Sequence, residues 1–443
     1  MTHTNLFKAL GWKGTSHDAG EDEKTPSLPE VHRSIAIPSE LSFFKKMMLF
    51  AGPGFLVAVG YMDPGNWATS LAGGSKFGYT LLTVVLMSSI FAMILQHLAL
   101  KLGVVTGRDL AQMCRDRYPK PVAIVLWLMA EVIGSAIALY LLFDIPILIG
   151  VMITAVDVLI ILYLQNKGFR YLEALIVVLM GTIVAIFGFQ LIVSAPALAP
   201  LLAGFIPTTQ IVFNAEMLYL AIGIIGATVM PHNLYLHSAI VQTRRYAETR
   251  EGKKEAIKFA TIDSTAALSI ALFVNASILI LAAAVFFTNG IGEVAAIEDA
   301  YKLLSPLVGV SIASTLFAIA LLAAGQNATI TGTLAGQIIM EGFINLRIKP
   351  WVRRIITRLL AIVPAIIVIG VYGDGAATDL LILSQVVLSL QLSFAVFPLL
   401  IFTGSKKIMG EFANSTHLNI IAWIIGIIIA SLNLWLLKGL FFG

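Results

Sequence analysis

Charge is what this 443-residue chain has least of. Asp, Glu, Lys and Arg make up 12% of it, against roughly 25% in an ordinary soluble domain, while 58% is hydrophobic. A soluble fold could not cover that much apolar surface, and the mean hydropathy of +0.91 points the same way. Cysteine is nearly absent. Cys114 stands alone, which excludes an intramolecular disulfide framework, and no Cys-x-x-Cys or Cys/His cluster suggests structural zinc. Catalytic signatures are missing too: there is no His-Glu-x-x-His, no Gly-x-Ser-x-Gly and no pair of catalytic aspartates, so an intramembrane metalloenzyme is disfavoured and no enzyme activity is expected. Residues 1–40 are polar, carry Pro26, Pro29 and Pro38, and lack a short apolar core followed by a small-residue cleavage site. They read as a disordered cytoplasmic tail, with no cleaved signal peptide expected.

What the chain does have is long apolar runs of roughly 20 residues, the length a helix needs to cross a hydrocarbon core, rather than the short alternating segments of an outer-membrane barrel. Eleven such runs start near Met47, Tyr79, Pro121, Ile145, Leu172, Glu216, Thr265, Val310, Ile355, Thr378 and Leu418. Charge placement tests that count. With the N-terminus in the cytoplasm, 26 of the 29 lysines and arginines fall on the cytoplasmic side, and only Lys76, Lys302 and Lys438 fall outside. A miscounted span would reverse the bias downstream of the error, and it holds to the end. The expectation is an all-α, multi-pass protein of the cell membrane with its C-terminus outside. The net charge of +4 follows from topology and requires no nucleic-acid partner.

Two spans carry breaks. Span 1 reads GPGFLVAVGYMDPGNWATSLAGG, and Pro64 removes a backbone donor at its centre while Gly65 eases departure from helical geometry. Span 6 reads LAIGIIGATVMPHNLYLHSAIV, with Pro231 central and Gly226 one turn earlier. Opened backbone at membrane depth survives only where protein or a polar cavity satisfies it. Each proline alone would more often mark a kink. Together the breaks share the pattern x-Pro-x-Asn five spans apart, so residues 41–200 and 201–403 read as two inverted repeats, with residues 404–443 forming an added span 11. Paired interrupted helices in inverted repeats point to a midplane site where freed carbonyls meet an ion.

Asp63 at mid-span costs at least about 2.5 kcal/mol unless paired, hydrated or ligating. With Asn66 it supplies two oxygen ligands, and opening span 6 frees the Ala227 carbonyl and places the Met230 thioether at the same depth. Oxygen ligands suit hard cations, whereas a thioether favours softer transition metals, so the set points to transported Mn²⁺ or Fe²⁺ with no permanently bound cofactor. Methionine is usually core filling; the place of Met230 immediately before the helix-breaking proline sets it apart.

The runs DPGN, MPHNLYLHS, GATVMPHN and LSQVVLSLQL resemble the Nramp family of proton-coupled divalent metal transporters, over essentially the whole chain after the tail. The resemblance implies a LeuT-like fold with discontinuous helices 1 and 6. It implies metal ligands at Asp63, Asn66, Met230 and the Ala227 carbonyl, with Gln385 and the Gly60 carbonyl joining in occluded states, and outer-gate positions at Thr228 and Asn275. For Gln385 and Asn275, plain interhelical hydrogen bonding is an equal reading.

Proton coupling needs titratable groups along the route. Asp63 is one, since metal binding expels its proton. His232 is another, with an unperturbed pKa near 6.5; a histidine merely bonded to opened backbone is the other reading. His237 lies about 140° further around the helix, too far to share a metal with it. Glu131 is the only acid in span 3 and so a further candidate. Here the chain departs from the family, whose third helix carries an Asp-x-x-Glu pair ahead of Val-Ile-Gly. In this sequence Leu128 stands where the Asp would be, and Glu131 matches either family glutamate. Arg353 and Arg354 read as topology anchors, and Ser393 stands where the family often has proline. The partners expected are divalent transition metal ions, protons and the lipid bilayer, with the protein acting as a monomer. The alternatives are a transporter of the same fold coupled to Na⁺ or H⁺ and carrying an amino acid or other organic substrate, in which Asp63 would repel a substrate carboxylate, and an uncoupled metal uniporter.

Overall fold

Long apolar sequences with few internal breakers make helices whose backbone groups are satisfied internally, and helices account for nearly all the regular structure. The computed structural model describes residues 26–38, 40–118, 167–291, 297–344 and 377–442. Its principal helices are α1 (Phe43–Phe50), α2 (Pro53–Ala58), α3 (Pro64–Phe77), α4 (Leu82–Thr106), α5 (Leu110–Arg117), α6 (Phe169–Ser194), α7 (Ala215–Thr228), α8 (Pro231–Ile240), α9 (Arg250–Ala282), α10 (Ile297–Val308), α11 (Ala313–Ile344), α12 (Ala377–Gly404) and α13 (Thr416–Phe442). The one sheet among the described residues is a parallel pair of two-residue strands, β1 (Ile35–Ala36) and β2 (Arg244–Arg245).

Among the described residues eight stretches are long and apolar enough to cross a membrane. They match eight of the eleven expected runs. The runs starting near Pro121, Ile145 and Ile355 lie outside the described residues, and with them Glu131, Arg353 and Arg354. One boundary differs. The seventh span starts at Arg250, well before Thr265, because the Thr249 hydroxyl caps the Gly252 amide and helix-forming Lys, Glu and Ala carry the turns onward.

Burial orders the bundle. The stretch from Ala215 to Thr243 is 94% buried over its most apolar window, whereas Phe169–Ser194 and Thr416–Lys438 are each 33% buried. The broken sixth span is therefore central, while α6 and α13 turn residues such as Ile192, Ile424 and Ile427 outward, as a lipid-facing helix does. Trp67 on α3 locks the middle, its ring 5.0 Å from Phe187 on α6 and 5.1 Å from Phe317 on α11 in edge-to-face contacts. Gly226 lets α7 and α12 touch: a Cβ there would stand 1.9 Å from the Gln385 carbonyl.

The expected tail of residues 1–40 includes a packed segment. Residues 26–38 pack under the bundle, with Leu28 and Val31 buried, the Leu28 amide donating to Glu341 and the Ser27 hydroxyl to Asp109 at 2.6 Å. Ile35 and Ala36 then pair with Arg244 and Arg245. Buried Leu28, Val31 and Ile37 supply the apolar contact that polar composition alone conceals.

Candidate functional site

Span 1 opens in stages. Helix α2 tightens into a 3₁₀ turn over Val59–Met62, and Asp63 leaves helical geometry with φ −69° and ψ 166°. Pro64 then starts α3, where its missing N–H costs nothing, and Asp63 caps the new helix. Its Oδ1 accepts from the Asn66 backbone amide at 2.9 Å and from the Asn66 side chain at 2.8 Å. Span 6 does the same: α7 ends at Thr228, Met230 is extended at φ −69° and ψ 129°, and Pro231 starts α8.

The two breaks meet. The Asn66 Nδ2 that donates to Asp63 donates also to the Ala227 carbonyl at 2.7 Å. A carboxylate and a freed carbonyl thus lie within reach of one amide nitrogen, which takes the electropositive place between them. Asn275 on α9 steadies the arrangement, its Nδ2 donating to the Tyr61 carbonyl at 2.8 Å and to Asn66 Oδ1 at 3.3 Å. From Leu56 to Ser75, Asp63 is the one residue that is not fully buried.

Met230 lies at the second break, and its sulfur accepts from Asn233 Nδ2 at 3.7 Å. Gln385 on α12 reaches the first break; a Cβ on Gly65 would stand 2.0 Å from its Nε2, and its Oε1 has no partner among the described residues. Gly60 sits in the 3₁₀ turn against the Asn233 amide. Thr228 lines a narrow cavity with Tyr61 and Asn275, and its hydroxyl and Asn275 Oδ1 are likewise unpartnered. His232 is buried with Nδ1 unpartnered, whereas His237 points elsewhere, its Nδ1 at 2.9 Å from Gln96 Oε1. The structure therefore gathers Asp63, Asn66, Ala227, Met230, Gly60, Gln385, Thr228 and Asn275 around the breaks, and leaves Glu131 outside the described residues.

Nothing here is built like a structural metal site: among the described residues no three His, Cys, Asp or Glu side chains cluster. One carboxylate, one freed carbonyl and one side-chain amide meet at the breaks, and the Met230 thioether lies beside Asn233 at the second.

Comparison with known proteins narrows the setting. A family model described as natural resistance-associated macrophage protein-like matches residues 54–438. The chain belongs to the Nramp family. As an Nramp protein it is similar to the divalent metal cation transporter MntH of Listeria monocytogenes serotype 4a, 61% identical over 425 residues that cover 94% of this chain and 95% of that one. It is 58% identical to the MntH of a Nostoc species, covering 94% and 96%. Among solved structures, the Eremococcus coleocola manganese transporter, crystallised with an aromatic bis-isothiourea compound, shares the fold at TM-score 0.82 and 42% identity, covering 92% of this chain and 90% of that one.

Sequence reasoning missed a polar clamp in this Nramp chain. Span 1 has a second break, at Ala51-Gly52-Pro53, ahead of the one at Asp63. Asp263 on α9 accepts from the Gly52 and Gly54 amides at 3.2 and 2.7 Å. Arg244 donates to the Leu49 and Ala51 carbonyls at 3.1 and 2.8 Å, and Glu173 on α6 pairs with Arg244 at 2.6 Å and with Arg170 at 3.1 Å. Gly52, at φ +140°, is required twice over: the backbone angle excludes most side chains, and a Cβ would stand 2.4 Å from the Glu173 carboxyl carbon. The Gly-Pro pair at 52–53 was the available signal. It escaped because Glu173, Arg244 and Asp263 come from three distant segments, each at the end of an expected span.

Proposed function

We propose that the protein imports divalent transition metal ions, Mn²⁺ foremost and Fe²⁺ with it, across the cell membrane by proton symport through alternating access. The observation that carries this reading is the bridge from Asp63 through Asn66 to the Ala227 carbonyl, which puts one accessible carboxylate and one freed carbonyl on either side of a single amide. A cation arriving there replaces the amide hydrogens. Turning Asn66 about χ2 then presents its oxygen, and the Met230 thioether favours Mn²⁺ and Fe²⁺ over Ca²⁺ and Mg²⁺. Names borne by relatives support the cargo: divalent metal cation transporter for those in Listeria and Nostoc, manganese transporter for that of Eremococcus.

In this reading the two repeats rock about the site, the N-terminus lies in the cytoplasm and the C-terminus outside, and one chain suffices because both breaks come from it. Asp63 gives up its proton on binding metal, and the unpartnered Nδ1 of His232 can accept one at the neighbouring break. The test is Mn²⁺ uptake into proteoliposomes with an internal pH dye. Uptake accompanied by acidification supports symport, and uptake without it would make the protein a uniporter. Undiminished uptake by Asp63→Ala would remove the site itself.

A further inference from the structure

Three lysines gather where the first span begins. Lys46 lies on α1, while Lys254 and Lys258 stand four residues apart on α9 and so share one face of it. With Phe43, Phe259 and Glu255 they line a crevice of about 450 Å³ between the two helices. Glu255 pairs with Lys46 at 2.6 Å, so the crevice lining holds three lysines and one carboxylate. Lys254 and Lys258 are exposed, and the Lys258 Nζ stands 5.7 Å over the Phe43 ring.

The same two helices also carry exposed apolar groups. Phe44 is 80% exposed and Met48 72% exposed on α1, and Ile262 is exposed one turn beyond Lys258 on α9. Water leaves such side chains bare, while acyl chains cover them. Cations above an aromatic floor, on helices that enter the bilayer, call for a negative headgroup in the crevice.

We propose that this crevice binds the phosphate headgroup of one anionic phospholipid of the cytoplasmic leaflet. The inference rests on the orientation proposed above, with α1 starting at the cytoplasmic face. In the proposed orientation the crevice opens at the first turn of α1, at the depth of the lipid headgroups, which is why the source is a lipid. The bound lipid would bridge α1 and α9, already joined by the Lys46–Glu255 pair and by the Phe50 and Phe259 rings stacked at 5.4 Å.

The test is native mass spectrometry of the full chain in mixed micelles holding equal phosphatidylglycerol and phosphatidylcholine. The intact protein should retain one phosphatidylglycerol in preference, and K254Q/K258Q should weaken that binding by roughly tenfold with phosphatidylcholine adducts unchanged. The single variant K254Q, at an exposed site, should show a smaller loss in the same direction and serves if the double variant does not fold. K406Q/K407Q removes a basic pair that does not line the crevice and should leave the preference intact. Equal phosphatidylglycerol binding by wild type and K254Q/K258Q would overturn the proposal, as would an equal loss in K406Q/K407Q, which marks general surface charge. Mn²⁺ uptake by the same preparations is read separately: failed uptake with the lipid preference retained counts against the transport reading and supports the lipid site.

Discussion

Asn66 donates its side-chain amide to the Ala227 carbonyl at 2.7 Å, joining residues 161 apart in sequence across the centre of the bundle. This one hydrogen bond links the two broken spans, and Asn66 is bonded at the same nitrogen to Asp63. Any cation that enters must take over what that nitrogen supplies.

Asp63→Ala should abolish Mn²⁺ uptake, because the remaining donors are neutral and cannot offset the dehydration of a dication. Isothermal titration with Mn²⁺ should show no heat of binding at micromolar metal, while size-exclusion profiles stay unchanged.

Met230→Ala should keep Mn²⁺ uptake within several-fold of wild type but admit Ca²⁺ as a competitor, since removing a soft ligand equalises hard and borderline ions. Competition uptake with excess Ca²⁺ is the measurement; unchanged selectivity would show that the thioether does not set it.

Asn275 touches Asn66 and Tyr61 and is itself outside the expected ligand set. Asn275→Ala should raise the KM for Mn²⁺ by roughly ten- to a hundredfold, the usual cost of losing a group that orients a ligand. A fall in kcat at unchanged KM would instead assign Asn275 to gate movement.

Glu173→Gln would leave the fully buried Arg244 without its counter-charge, at a cost of about 3 kcal/mol or more. The melting temperature in detergent should fall, and it should recover in part when Arg244→Met is added, because an apolar pair of similar size has no buried charge to compensate. No recovery would mean that Arg244 acts chiefly through the Leu49 and Ala51 carbonyls.

Gly226→Ala should impair folding or uptake sharply, since the added methyl meets the Gln385 carbonyl on α12. Restored uptake in a variant that shortens α12 side chains nearby would not be expected, because the obstruction is backbone.

Much of the protein is legible in its sequence. Apolar run length determined that the chain crosses membranes as helices, and Pro64 and Pro231 determined where two of them open, because a missing backbone donor acts through local geometry alone. The residues at those breaks could be named for the same reason. What only tertiary structure decided is which polar groups meet. That the Asn66 amide spans to Ala227, that residues 26–38 fold beneath the bundle, and that Asp263, Glu173 and Arg244 hold a second break at Gly52 all depend on segments brought together from far apart. Hydropathy reads a charged residue at a span end as an anchor to water; only packing shows that Arg244 is buried and paired.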